Sequence, residues 1–171
     1  MIPNYCYSYD VEVEVTEEAP PEEPAQEVTN EELCRGTAIQ KDTVYTVDGV
    51  CEFALHEHTT GEKIVKGYMQ LAGAGLQADG DSTLLYFRAT YTNLRPEEIS
   101  RGSVLEDGEL IYRQTYIYEG DCGSFDDIIP LSKSEVYLAF KVPKAVAESG
   151  EELIVNLKFG GQWFHYIIPA A

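Results

Sequence analysis

The sequence predicts an all-β protein, an antiparallel β-sandwich of about seven to nine strands. From Thr43 onward, short runs of alternating apolar and polar residues follow one another, each bounded by Gly, Pro, Asp or Ser. No long segment repeats its apolar residues with the 3.6-residue period of an amphipathic helix. Strands joined by turns, without crossover helices, favour an antiparallel sandwich over a βαβ fold.

Length and charge limit the domain organisation and the partners. The chain has 171 residues, about one domain's length, and 44% of them are apolar, enough for a real core. Its net charge of −18 makes nucleic acid or an anionic membrane an unfavourable partner, and leaves basic partners and cations open. We therefore expect no nucleic-acid binding.

The N-terminal segment, residues 1–35, is predicted to be an acidic linker without a core of its own. Residues 10–32 hold ten acids and no Lys or Arg, and they include Pro20, Pro21 and Pro24. Such a segment cannot bury enough apolar surface to offset its ordering entropy, and we expect it to be largely disordered. It is a stalk or a solubilising tail, although "YCYSYDVEVEV" before it could pair as a strand. The folded domain is then residues 36–171.

Targeting signals and cysteine spacing give little information about the location or the chemistry of the protein. No stretch approaches the ~20 apolar residues of a membrane span, and no basic-then-apolar segment follows Met1, so we expect no membrane insertion by this chain. The four cysteines lack the CxxC spacing of a zinc site or a redox pair. Free buried thiols are favoured slightly over a disulfide framework, and no cofactor is predicted.

The first predicted element is a hairpin centred on Asp48-Gly49. The stretch "TVYTVDGVCEF" places this dipeptide between two β-rich runs, and a type I′ turn needs positive φ at both central residues. The next strand, "STLLYFRATYTN", alternates in the register of a half-buried antiparallel strand.

The C-terminal half supplies further strands. Two apolar rows are predicted to face the core: Val136, Leu138, Phe140 and Val142, then Leu153, Val155, Leu157 and Phe159. Between them, "PKAVAESG" is long enough only for one helical turn, and "FGGQ" closes a final hairpin.

The segment "GDCGSFDD" before the first row is interpreted as a bend and not as an active site. Its aspartates have the wrong spacing for a calcium loop, and its acidity disfavours a reactive Cys122 thiolate.

A family resemblance covers about residues 36–168. The sequence resembles the telokin-like, immunoglobulin-like domains of unknown function found in exported lipoproteins of Gram-positive bacteria. The points of similarity are "YTN" after an aromatic strand, "DG" before a tyrosine-rich strand, the "GDCGSFDD" segment, the "VYLAFKVP" strand and an aromatic C-terminal hairpin. This resemblance implies an immunoglobulin-like sandwich, a location outside the cell or in the cell envelope, and no agreed catalytic residues.

One candidate metal site is the "HEH" tripeptide. His56 and His58 are two residues apart, so on a regular strand they project from the same face and could share a metal ion. A third ligand, His165 or Glu52, would be needed to complete the site. An exposed strand face is the more ordinary interpretation, and metal-dependent chemistry at these histidines is the alternative function.

The other candidate site is an aromatic strip. In "ELIYRQTYIYEG" we predict one continuous strand, whose outward row comprises Leu110, Tyr112, Gln114, Tyr116 and Tyr118. The opposite row, with Ile111 and Ile117, would face the core, and Arg113 would reach towards an open edge. Exposed tyrosines suit a protein or glycan partner, although tyrosine is also an ordinary strand former. The sequence thus favours a non-enzymatic binding module, with Tyr112, Tyr116 and Tyr118 as its surface.

Overall fold

The computed structural model describes residues 29–66, 69–71, 78–124 and 126–171, and it confirms the all-β fold. The strands are β1 (Thr37–Ala38), β2 (Tyr45–Val47), β3 (Cys51–Gly61), β4 (Ile64–Lys66), β5 (Met69–Leu71), β6 (Ser82–Asn93), β7 (Asp107–Tyr112), β8 (Tyr116–Ser124), β9 (Lys133–Pro143), β10 (Leu153–Phe159) and β11 (Gln162–Ile168). The described helices are α1 (Asn30–Leu33) and α2 (Lys144–Ala147), each about one turn long.

Nine of the strands are joined in the order β1-β11-β10-β7-β8-β9-β6-β3-β2, and β4 and β5 form a separate pair. All the pairs are antiparallel except β1 with β11. Strand β8 pairs with β7 through residues 116–119 and with β9 through residues 120–124. It therefore passes from the front layer (β1, β11, β10, β7) to the back layer (β9, β6, β3, β2) and connects the two.

Gly120 lies at the point where β8 changes layers. A Cβ atom there would come within 2.7 Å of the Phe140 ring and 3.2 Å of the Gly108 Cα atom. Two backbones and an aromatic ring meet too closely for any side chain. The predicted bend at "GDCGSFDD" is in fact strand up to Ser124, and glycine is needed there for space.

The core lies between the two layers. Both predicted rows, from Val136 to Val142 and from Leu153 to Phe159, are buried, as expected. The Phe53 ring of the back layer stacks on the Phe159 ring of the front layer with centroids 4.2 Å apart. A smaller cluster covers the outer face of the back layer, where Ile64 packs with Leu84 and Tyr137. These contacts confirm a β-sandwich.

The predicted turns at Asp48-Gly49 and "FGGQ" are both present, but the type I′ geometry predicted at Asp48-Gly49 is wrong, because Gly49 has positive φ and Asp48 does not. Gly49 has φ of 70° between β2 and β3, and Gly160 and Gly161 have φ of 56° and 76° between β10 and β11. Helix α2 falls within "PKAVAESG", as predicted. Within the described ranges, no helix is long and apolar enough to cross a membrane.

The prediction of one continuous strand from Glu109 to Glu119 is wrong. β7 ends at Tyr112, the chain turns, and β8 begins at Tyr116, directly opposite Tyr112. Leu110 and Tyr112 belong to the core cluster, whereas Ile117 is 58% exposed. The predicted orientation of the two rows is therefore reversed. Burial of Tyr112 is supported by its contact with the Tyr116 ring, 6.1 Å between centroids.

An N-terminal arm, residues 29–38, crosses the outer face of the front layer. The Asn156 side chain is fully buried there; its Nδ2 donates to the Leu33 carbonyl at 2.9 Å and its Oδ1 accepts from the Arg35 N–H at 3.0 Å. Arg35 pairs with Glu109 and lies 4.6 Å from the Trp163 ring centroid. Packing thus begins before residue 36, while the rest of the predicted linker, residues 1–28, lies outside the described residues.

Candidate functional site

The turn between β7 and β8 has an unusual backbone. Arg113 and Gln114 have φ of 49° and 59°, and the Thr115 N–H donates to the Tyr112 carbonyl at 3.3 Å. Two successive residues in the left-handed region define a type I′ turn, which normally contains Asn and Gly. A non-glycine residue in this region costs about 1–3 kcal/mol. Strain of this kind persists only where surrounding contacts hold it, and it is concentrated at functional sites.

Two contacts hold the turn. The Arg113 guanidinium makes a two-point ion pair with Glu151, with Nη2 to Oε1 at 2.6 Å and Nε to Oε2 at 2.9 Å. This pairing lowers the pKa of the Glu151 carboxyl and raises that of Arg113. On the other side, Gln114 Nε2 donates to Asn30 Oδ1 at 3.0 Å. The turn is thereby fixed to the loop before β10 and to the N-terminal arm.

These contacts surround a cleft of about 360 Å³. Its floor is Ile111 and Ile154, and its walls are polar: Asn30, Arg113, Gln114, Glu151 and Glu152. Asn30 Nδ2 donates to Glu152 Oε1 at 2.5 Å, which closes the wall beneath the arm. The cleft therefore combines an apolar floor with a charged rim and lies between three separate parts of the chain.

The floor is part of a longer row of isoleucines. Ile117, Ile111, Ile154 and Ile167 are paired in register across β8, β7, β10 and β11. The two middle residues are buried, while Ile117 and Ile167 are 58% and 39% exposed. On the opposite face of β8, Tyr116 is 55% exposed and covers Tyr112. We call the cleft, Tyr116 and Ile117 together the hairpin-tip surface.

The three predicted tyrosines have different environments. Tyr112 is only 8% exposed and Tyr118 is half-buried against the core, where burial raises its pKa. Only Tyr116 presents most of its ring to solvent. Of the three tyrosines predicted to be exposed, Tyr112 is therefore buried and Tyr116 is exposed, because the sequence contains no indication of the turn between them; a binding role for these residues stays a prediction.

His56 and His58 do not share a face, so that prediction is wrong. A β-bulge between Leu55 and His58 shifts the register of β3 against β6. His56 Nε2 lies 3.3 Å from the Thr90 hydroxyl, and its Nδ1 lies 2.6 Å from Asp42 Oδ1. His58 instead pairs with Phe87, a core residue, and burial lowers its pKa.

In the part of the chain that the structure describes, these histidines also do not belong to a larger group of metal ligands. Across the described ranges, no three His, Cys, Asp or Glu side chains group in a way that could hold a metal ion. Glu57, between the two histidines, binds Arg88 through both oxygens, at 2.7 and 2.9 Å. The polar groups around the bulge are thus paired with one another.

The described cysteines are free thiols, and two of them are buried. Burial raises the pKa of Cys51 to about 11 and also raises that of Cys122, whose Sγ accepts the Leu105 N–H at 3.3 Å. Cys34 is half-buried in the arm, and Cys6 lies outside the described residues. A buried thiol with a raised pKa is a poor nucleophile. Nothing in these environments favours cysteine chemistry.

Comparison with known proteins supports the fold. The chain is similar to an uncharacterized beta-sandwich protein from Clostridium difficile 630, with 16% identity and a TM-score of 0.64 over 79% of this chain and 95% of that one. A second similarity, at 13% identity and a TM-score of 0.45, is to a "putative lipoprotein" of Bacillus subtilis, over 77% of this chain and 39% of that one. No protein-family model matches the sequence, and no curated protein matches it.

Proposed function

We propose that this β-sandwich is a non-enzymatic binding or adhesion module of the cell envelope or the extracellular space, and that its hairpin-tip surface contacts the partner. One observation carries the proposal: a strained turn of Arg113 and Gln114, which contacts Glu151 and Asn30, lies beside an apolar-floored cleft. A preorganised site of this kind loses little conformational entropy on binding.

Two exposed side chains extend the surface beyond the cleft. Tyr116 and Ile117 are adjacent in the chain and lie on opposite faces of β8, so the hairpin presents apolar area on both sides. Aromatic residues are frequent in the energetic centres of interfaces because they bury large area with few rotatable bonds. The partner in this proposal is a protein or a glycan, as the tyrosine content of the sequence indicates.

The proposed location rests on the sequence resemblance to exported Gram-positive domains. In this proposal, residues 1–28 connect the sandwich to its attachment point. Their acidic, proline-containing composition is typical of a spacer segment.

A bead-adhesion assay tests the proposal. Beads coated with the full chain are incubated with envelope fragments of a Gram-positive bacterium, before and after protease treatment of the fragments. We expect retention by the parent and at least about a tenfold loss in a Tyr116→Ser, Ile117→Ser variant, as for the loss of an interface centre. Protease sensitivity of the retained fraction separates a protein partner from a glycan.

Val44→Ser is the matched control, because Val44 is 59% exposed and precedes β2, the edge strand of the back layer, which lies four strands from β8. It should leave retention unchanged. Equal retention of the parent and the Tyr116, Ile117 variant would contradict the proposal.

A further inference from the structure

We propose that the hairpin-tip cleft receives a lysine side chain from a basic segment of a protein partner. This inference rests on the proposed function and narrows it to one class of partner. It is carried by the charges of the cleft, by the shape of its floor and by the charge of the whole chain.

The charges of the cleft walls favour a cation. Two carboxylates, Glu151 and Glu152, face one guanidinium, Arg113, and the remaining wall residues are neutral amides. Arg113 forms a two-point ion pair with Glu151, whereas Glu152 accepts a hydrogen bond from the neutral Asn30 amide. Among the described residues, no Lys or Arg forms an ion pair with Glu152. The wall therefore carries one negative charge that an incoming ammonium group can neutralise.

The floor favours a long aliphatic stem. Ile111 and Ile154 are paired directly across β7 and β10 and are 4% and 3% exposed, so the apolar floor is a narrow strip that part of one stem can cover. A lysine side chain buries its methylene groups on apolar surface while its ammonium group stays at a polar rim. The volume of about 360 Å³ lies at the small end of the roughly 300–1,000 Å³ typical of ligand pockets. The cleft is therefore suited to one extended side chain.

The choice between lysine and arginine follows from hydrogen-bond geometry. A guanidinium is best matched by a carboxylate that accepts at two points, and Glu151 already provides this to Arg113. An ammonium group is a compact charge with three donors that can be directed separately. Glu152 and the amide oxygens of the wall are suitable acceptors for these donors, so the cleft matches lysine better.

Charge excludes three other occupants of the cleft: the chain's own N-terminal segment, a second copy of the chain, and an anionic polymer or lipid surface. The chain's own residues 10–32 hold ten acids and no Lys or Arg, so they cannot supply the cation. A second copy would bring another net charge of −18. An anionic polymer or lipid surface would be repelled in the same way. A basic protein segment is attracted at long range and complementary at contact.

Fluorescence anisotropy with labelled pentalysine tests the inference on the full chain. We expect Glu152→Gln to weaken binding by about three- to fivefold, as for loss of one ion pair at an exposed carboxylate. The matched control is Glu98→Gln, an exposed position with the same charge change, which should weaken binding less than about twofold. Circular dichroism confirms that both variants are folded.

A second probe tests the floor. The pentamer of 2,4-diaminobutyrate has the same charge as pentalysine, but each of its side chains is shorter by two methylenes. We expect this pentamer to bind at least about threefold more weakly than pentalysine, because each buried methylene contributes to affinity. Equal effects of Glu152→Gln and Glu98→Gln, equal binding of the two pentamers, or no binding of pentalysine would each overturn the inference. If envelope adhesion still depends on Tyr116 and Ile117 in those cases, the proposed function stands without it.

Discussion

Arg113 and Glu151 are 38 residues apart in the chain and form a two-point ion pair, with the shortest contact 2.6 Å between Nη2 and Oε1. The pair joins the β7–β8 turn to the loop that precedes β10. It holds in place a turn whose two central residues are both in the left-handed region. The candidate site thus depends on a contact between distant parts of the chain.

The strain in this turn predicts a stabilising substitution. In Gln114→Gly, the left-handed conformation becomes almost free of strain, a gain of about 1–3 kcal/mol, whereas the added entropy of the unfolded chain costs about 0.4–1 kcal/mol and the lost, exposed hydrogen bond to Asn30 about 0.5 kcal/mol. We expect a net gain of up to about 1 kcal/mol in the free energy of unfolding, measured in urea. The reverse change at a comparable turn, Gly49→Gln, should destabilise the protein. A loss of stability in Gln114→Gly would show that the strain in the turn is smaller than the cost of losing the Asn30 contact and of the added chain entropy.

Tyr112 and Tyr116 are predicted to differ in their effect on stability. Tyr112 is buried in the core cluster, so Tyr112→Ala should cost about 3 kcal/mol, as for other buried aromatic residues. Tyr116→Ala should cost less than about 1 kcal/mol, because this ring is mostly exposed. Urea denaturation of the two variants measures the difference. Similar costs for both would contradict the positions of the tyrosines on the hairpin.

Asn156 is predicted to fasten the N-terminal arm. Asn156→Ala leaves the Leu33 carbonyl and the Arg35 N–H without their partner, which should cost about 1–3 kcal/mol. Limited proteolysis should then cut between residues 29 and 38, where the parent resists. Gln40, exposed and close to the same segment in the chain, provides the control variant Gln40→Ala. Unchanged resistance in Asn156→Ala would show that other contacts suffice to hold the arm.

The pair of Glu57 and Arg88 predicts a pH dependence. The hydrogen bond from Arg88 lowers the pKa of Glu57 to about 2. Because the ordinary pKa of an unfolded glutamate is about 4.3, the contribution of this pair to stability is complete above that value and is lost as the pH falls through about 2. An NMR titration of the Glu57 carboxyl group measures the midpoint. Arg88→Ala should return the midpoint to the ordinary range, and an ordinary midpoint in the parent would contradict the pairing.

Cys51 and Cys122 are predicted to be unreactive in the folded protein. Their burial and raised pKa values leave almost no accessible thiolate near neutral pH. Iodoacetamide followed by peptide mass spectrometry should label both residues only after denaturation. Rapid labelling of either in native buffer would indicate that the core opens where β3 or β8 packs.

Much of the fold follows from local sequence patterns. The turns at Gly49 and Gly160 were predictable because glycine marks positive φ, and the core rows followed from strict alternation. The β7–β8 turn was not predictable, since Arg113 and Gln114 carry no turn signature and are held by residues far away in the chain. The bulge that separates His56 from His58 depends on pairing with β6, which a single strand does not reveal.

One residue in the sequence indicates that another segment packs on β10, and the sequence analysis did not use it. Asn156 is the only uncharged polar residue in the strand "LIVNLKF", whose other residues are apolar except Lys158. A buried amide must find hydrogen-bond partners, so its presence indicates that another segment supplies them. Which segment does so depends on the three-dimensional fold, and the arm became apparent only there.

The central claim is that the hairpin-tip surface is where this sandwich binds its partner. Hydrogen–deuterium exchange of the full chain, with and without Gram-positive envelope fragments, tests it most directly. We predict slower exchange on binding in residues 111–117 and 151–154, with residues 42–47 unchanged at the edge of the back layer, four strands from β8. Protection confined to residues 42–47, or to the exposed loop around Ile129 and Leu131, would contradict the claim.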